Sequence, residues 1–251
     1  MGKFDNQPNR KRWFKAFKHL LTGRYKQPEF IYLGERFQPK SIIISNHEGT
    51  DAPLSLELYG DVPMRYWGAH EMNTGLIPMY KYQTTVYYHQ RKHWNIHLAR
   101  LFCLLATPLT NLFYKGLNLI STYRDARFRH TLRESLAALA NGESIVVFPE
   151  DATDGYKTEL DGFFCGFVML AEVAARRGID LPIYVTYFKK KELQYIVDAP
   201  ILYSELAKNG ATREEIAARL CHRCNALGRM QFENGELLAE SAEVLTAHNI
   251  A

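Results

Sequence analysis

Between residues 29 and 230, short apolar runs rich in β-branched residues alternate with segments of helical hydrophobic spacing, and this alternation leaves few architectures open. The runs at 30–33, 41–45, 64–69, 117–122, 144–149, 182–188 and 193–197 read as strands. The segments at 53–59, 93–113, 126–140, 163–177 and 213–229 read as helices. Strands separated by helices pair in parallel, because each helix carries the chain back across the sheet. The expected fold class is α/β: a single domain over residues 29–230, with a mostly parallel central sheet flanked by helices. Residues 1–28 read as a basic segment holding an N-terminal amphipathic helix. Residues 231–251 lose the pattern and read as a loosely ordered tail.

The 251 residues are 47% hydrophobic and 23% charged, enough to bury a sizeable core and unlike a disordered chain. The longest stretch free of Asp, Glu, Lys and Arg is 101–114, 14 residues interrupted by Pro108. A bilayer span needs about 20, so no transmembrane helix is expected. The basic N-terminus is followed by no apolar h-region with a cleavage site, so a secreted protein is not expected either. Four cysteines in a chain this long do not make a disulfide framework. Cys221 and Cys224 form a lone CxxC in a helical pattern and read as reduced thiols, with metal or redox use as the alternative. A reducing, cytoplasmic compartment follows.

Net charge is +4, but residues 1–40 carry ten Lys/Arg against Asp5, Glu29 and Glu35, a net +7 that leaves −3 for the rest. One basic end on a mildly acidic body is not the distribution of a nucleic-acid binder. Within that end, Trp13, Phe14, Phe17, Leu20 and Leu21 line one helical stripe flanked by Arg10, Lys11, Lys15 and Lys18, with Gly23 as a stop. Such a helix suits an anionic membrane surface. The alternative is a terminal helix packed on its own domain with a solvated basic side.

Three strand ends carry candidate chemistry. The strand at 41–45 runs into Asn46 and His47, and a helix opens around Asp51. A His beside a carboxylate is a base with an orienting acid; the alternative is Asp51 as a helix cap beside an incidental His. The strand at 144–149 ends in Phe148, Pro149 and Glu150 before a polar loop, and the strand at 117–122 delivers Arg124, a side chain suited to gripping phosphate or carboxylate. Between the first two blocks lie many aromatics and the apolar run 101–114, suited to walling an acyl chain, dipping into lipid or packing as a core helix. His89, His93 and His97 recur at one helical spacing and read as a solvated or interfacial face, with a metal site as the alternative. No GxSxG elbow and no P-loop is present.

The order Asn46-His47 with Asp51, then Arg124, then Phe148-Pro149-Glu150, then Leu181-Pro182-Ile183 resembles the glycerolipid acyltransferase superfamily, the lysophosphatidic acid acyltransferase-like proteins. Residues 67–72 look like that family's Ala-Lys-x-Glu-Leu strand, and 163–166 stand where it has Phe-Lys-x-Gly; the resemblance covers roughly residues 30–200. It implies acyl transfer from acyl-CoA or acyl carrier protein to a lysolipid acceptor, on the cytoplasmic, inner face of a membrane, with no metal or bound cofactor. His47 would be the general base and Asp51 its orienting acid, with Asn46, Arg124, Pro149 and Glu150 on the substrate side. Three departures are visible. Three residues rather than four separate His47 from Asp51, which turns the Asp by about 100° on a helix, so the turn compensates, or Asp51 caps and Glu48 takes part. Asp151 stands where the family has Gly and no Arg follows, which leaves Arg124 as the expected cation for a phosphate. Phe164 replaces a Lys. A non-catalytic, membrane-peripheral lipid-binding protein of the same fold is the alternative.

Overall fold

Eight strands join into one sheet: β1 (Glu29–Tyr32), β2 (Ile42–Ser45), β3 (Met64–Ala69), β4 (Ile120–Thr122), β5 (Ser144–Val147), β6 (Pro182–Lys189), β7 (Gln194–Val197) and β8 (Ile201–Leu202). The computed structural model describes residues 10–151, 155–233 and 236–237. The strand order is β1-β7-β6-β2-β5-β3-β4, with β8 antiparallel beside the start of β6. β2 pairs in parallel with both β5 and β6, β5 with β3, and β3 with β4. β7 folds back antiparallel on β6, and β1 runs parallel to β7. The mostly parallel α/β sheet expected from the alternation is therefore present.

Helices cover both faces, which is why the central strands are apolar without alternation: every residue of β2 and of β5 is buried. Ile42, Ile44, Ile145 and Val147 point to one face and pack under α5 (Phe128–Ala140), α6 (Gly166–Ala175) and α8 (Arg213–Arg229). Ile43, Val146 and Tyr184 point to the other, under α1 (Arg12–Thr22), α2 (Asp51–Tyr59) and the end of α4 (Ile96–Leu117). A four-residue helix, α7 (Tyr203–Leu206), follows β8. Beyond α8, β9 (Phe232–Glu233) and β10 (Glu236–Leu237) make a small antiparallel pair. The rest of the expected tail, 234–235 and 238–251, lies outside the described residues, as do residues 1–9.

Helix α1 is packed, not free. Phe14 is fully buried, its ring seated where a Cβ on Gly116 would come within 2.0 Å. Arg10 and Lys18, expected on a basic flank, are buried instead against Glu57 of α2, at 3.0 and 2.8 Å. Arg10 also donates to the carbonyls of Leu117 and Met64, tying the segment to α4 and β3 at once. Burial depresses the Lys18 pKa, and the adjacent Glu57 carboxylate opposes that shift. A buried carboxylate and two buried cations offset the cost of leaving water only through such close bonds.

The segment between β3 and β4 departs most from expectation. The hydrophobic spacing gives no helix over 70–92, yet the segment holds a turn of 3-10 helix (His70–Met72), α3 (Leu76–Tyr82) and a π-helical stretch (Gln83–Arg91). The chain breaks at Lys92–Asn95, where His93 has φ +55°, so His89, His93 and His97 do not share one helix face. Asn95 caps α4 by accepting the His97 backbone N–H at 2.9 Å. α4 then runs 22 residues through Pro108 and Leu117, past the expected end, and stops at Asn118 in the left-handed region. It is the one described helix long and apolar enough to cross a membrane.

Candidate functional site

Parallel β2 and β5 end at the same edge of the sheet, Ile44 opposite Val147, so the loops that follow them are neighbours. This is the position where α/β sheets place ligands. Asn46 extends β2 by one step: its Oδ1 accepts the Phe188 N–H at 2.7 Å and its Nδ2 donates to the Phe188 carbonyl at 3.1 Å. Both ends of the amide are used on β6 and the side chain is buried, so Asn46 fixes the strand end and does not line the cavity described below. His47 is the first residue past that anchor. The chain then turns sharply, Gly49 N–H to the His47 carbonyl at 2.8 Å, with Gly49 at φ +61° where a side chain would be strained.

Rings hold the His47 imidazole. It stacks on Tyr156 with centroids 4.9 Å apart and meets the edge of Phe148 at 5.0 Å. Among the described residues its Nδ1 is buried with no hydrogen-bond partner. Burial, then the positive charge of Arg91, lowers its pKa to about 4, so the ring is neutral at pH 7. Glu150, one residue beyond the Pro149 that follows β5's last turn, lies beside it. The Pro149 carbonyl accepts the Phe164 N–H at 2.8 Å, and Glu150 bridges Phe163, which pins this segment to the start of α6. Burial raises the Glu150 pKa to about 7, with the nearby His47 backbone N–H opposing the shift, and among the described residues its Oε1 is buried without a partner.

The expected orienting acid is elsewhere. Asp51 sits in the first turn of α2 and pairs with Lys190 Nζ at 2.6 Å, and among the described residues no hydrogen bond or ion pair joins it to His47. No bond joins Glu48 to His47 either among the described residues. Arg124 also falls outside the cavity: it is exposed at the end of β4, its guanidinium 5.4 Å over the Phe164 ring. It therefore flanks the Pro149 segment from outside.

Two other cations, Arg91 and Lys92, lie close enough to His47 to act on its imidazole. Arg91 lines the cavity and hydrogen-bonds Tyr156, and Lys92 lies 5.6 Å over the Tyr156 ring and 5.9 Å over that of Tyr87. Burial pushes the Tyr156 hydroxyl up to about 12, so it stays protonated beside Arg91. Their only sequence signal is an Arg-Lys pair inside an aromatic stretch that lacks acids.

From His47 a cavity of about 340 Å³ runs between the sheet and the helices on the α1 face. It is lined by His47, Arg91 and Tyr156, by Tyr66, Met72 and Leu119, by Gln83, Tyr87 and Tyr114, and by Phe17 and Leu21 of α1 with Leu109 and Phe113 of α4. The volume lies at the low end for small-molecule sites, and a mainly apolar lining with a limited number of polar groups is their usual build. Among the described residues no group of three or more His, Cys, Asp or Glu is placed to hold a metal ion, and Cys221 and Cys224 are buried free thiols. No protein-family model matches the sequence, and no curated protein matches it significantly.

Proposed function

We propose that the protein transfers a fatty acyl group from an acyl thioester, acyl-CoA or acyl carrier protein, to a hydroxyl of a lysolipid-like acceptor on the inner face of a membrane. One observation carries the reading: a mainly apolar cavity reaches a neutral His at the C-terminal ends of parallel strands, beside a buried carboxyl and two cations. An amphiphile fits such a slot with its chain along the apolar walls and its head at His47. Arg91 and Lys92 then face an acidic head group. His47 takes the proton of the acceptor hydroxyl, the oxygen attacks the thioester carbonyl, and the departing thiolate takes the proton back from the imidazolium. Glu150, near the His47 backbone N–H, counters the imidazolium charge in place of Asp51. Incubation with labelled acyl-CoA and a mixed lysolipid extract, followed by mass analysis, tests this: a new diacyl product is expected.

A second reading has its own support. No carboxylate is bonded to the His47 ring among the described residues, which favours a lipid-binding protein that has kept the fold without the chemistry. Intact lipid binding with no transfer to any acceptor is its signature.

A further inference from the structure

Helix α4 has its amphipathicity inside out. Ala99, Cys103, Thr107 and Asn111, one every four residues, are buried at 5% exposure or less. The opposite side carries Leu98, Leu101, Leu105, Leu109 and Leu112, between 45% and 77% exposed, all within one stripe of the helix. Inside, Thr107 donates to Gln83 at 2.9 Å, a polar lock between two helices of the kind made where the outside is as apolar as the core. Ile77 of α3, a helix packed on α4, is also exposed, at 70%. A water-facing helix would carry the reverse pattern, and an apolar patch of this extent marks an interaction surface.

Charge selects the partner. From residue 72 to 124 there is no Asp or Glu, while Lys81, Arg91, Lys92, Arg100, Lys115 and Arg124 give a net +6. A second copy of this chain would bring like charge against like charge, whereas an anionic lipid surface is attracted. The helix is long enough to span a bilayer, but its inner side is packed against α3, the π-helical stretch and α1. It therefore lies in the interface plane.

We propose that the outer face of α4, with the tip of α3, docks the protein on an anionic bilayer and opens the cavity toward it between α1 and α4. Leu109 is both 59% exposed and part of the cavity wall, so the mouth and the docking face are continuous. The docking rests on exposure and charge; that the cavity draws its acceptor from this surface rests on the acyl-transfer reading above. Full-length protein is sedimented with phosphatidylcholine vesicles, with and without phosphatidylglycerol, in the absence of acyl donor, so a missing transferase activity leaves the result standing. Wild type is expected to bind the anionic vesicles and to release in high salt. A Leu101→Ser/Leu105→Ser variant should bind about tenfold more weakly or worse, with unchanged circular dichroism and melting, since both side chains are already exposed. It should still bind a monomeric short-chain lysolipid. A Trp13→Ser/Leu20→Ser variant on α1 should lose less. Unchanged vesicle binding by the α4 variant, no wild-type binding to anionic vesicles, loss of short-chain lysolipid binding, or a wild-type dimer that the α4 variant splits would each overturn the proposal.

Discussion

Helix α6 turns Phe167, Val168, Leu170, Ala171 and Ala174 onto the sheet and leaves all five inaccessible, whereas α4, 22 residues against 10, holds Leu98, Leu101, Leu105, Leu109 and Leu112 out. Both are apolar, and both sit in the same α/β frame. The difference is what each packs against. α6 lies over the centre of the sheet, where Ile145, Val147 and Ile183 supply apolar partners. α4 packs on α3 and the π-helical stretch through Ala99, Cys103, Thr107 and Asn111, and only its last turns reach the core, with Phe113 and Leu117. Apolar composition therefore marks a core on one face and an interaction surface on the other, and the cavity opens on the second.

The largest effect should separate those two faces. Phe167→Ala, which empties a fully buried site, is expected to cost about 3–5 kcal/mol of stability in urea unfolding, while Leu105→Ala should stay within about 0.5. Comparable losses at the two positions would mean that α4's outer face is packed in solution. Glu57→Ala should cost about 3 kcal/mol, because Arg10 and Lys18 are left buried without their anion. A near-neutral result there would place the α1 segment in water.

A smaller, pH-dependent effect belongs to the cavity. The folded-state pKa of Glu150 is raised from 4.5 to about 7, so its contribution to stability is present below 4.5 and is lost as pH rises through 7. His47 has the opposite sign: lowered from 6.5 to about 4, it contributes above 6.5, and that is lost as pH falls through 4. Stability measured against wild type should therefore shift in favour of Glu150→Gln between pH 5 and pH 8. A constant difference across that range would contradict a buried, titrating carboxyl.

Much of the frame was legible because β2, β5 and β6 are buried on both faces and read as unbroken apolar runs. His47 and Glu150 were legible as neighbours for the same reason: each follows a strand, and those strands pair. What was not legible depends on contacts distant in sequence. Arg10 and Lys18 look solvated until Glu57 closes over them, and Asp51 looks like a partner of His47 until Lys190, at the end of β6, claims it. Arg91 and Lys92 reach the site from a π-helical stretch whose aromatics have no clear period. The end of α4 overran the expected strand because an apolar run does not distinguish a last helical turn from a first strand residue.

The central claim is that His47 is the base of an acyl transfer in this cavity. The direct measurement is turnover of acyl thioester and lysolipid by wild type and by His47→Ala, with acyl-donor binding measured alongside. The predicted result is a fall in turnover of at least about 10²–10⁴-fold with donor binding retained and the fold intact. Near-wild-type turnover by His47→Ala would contradict it.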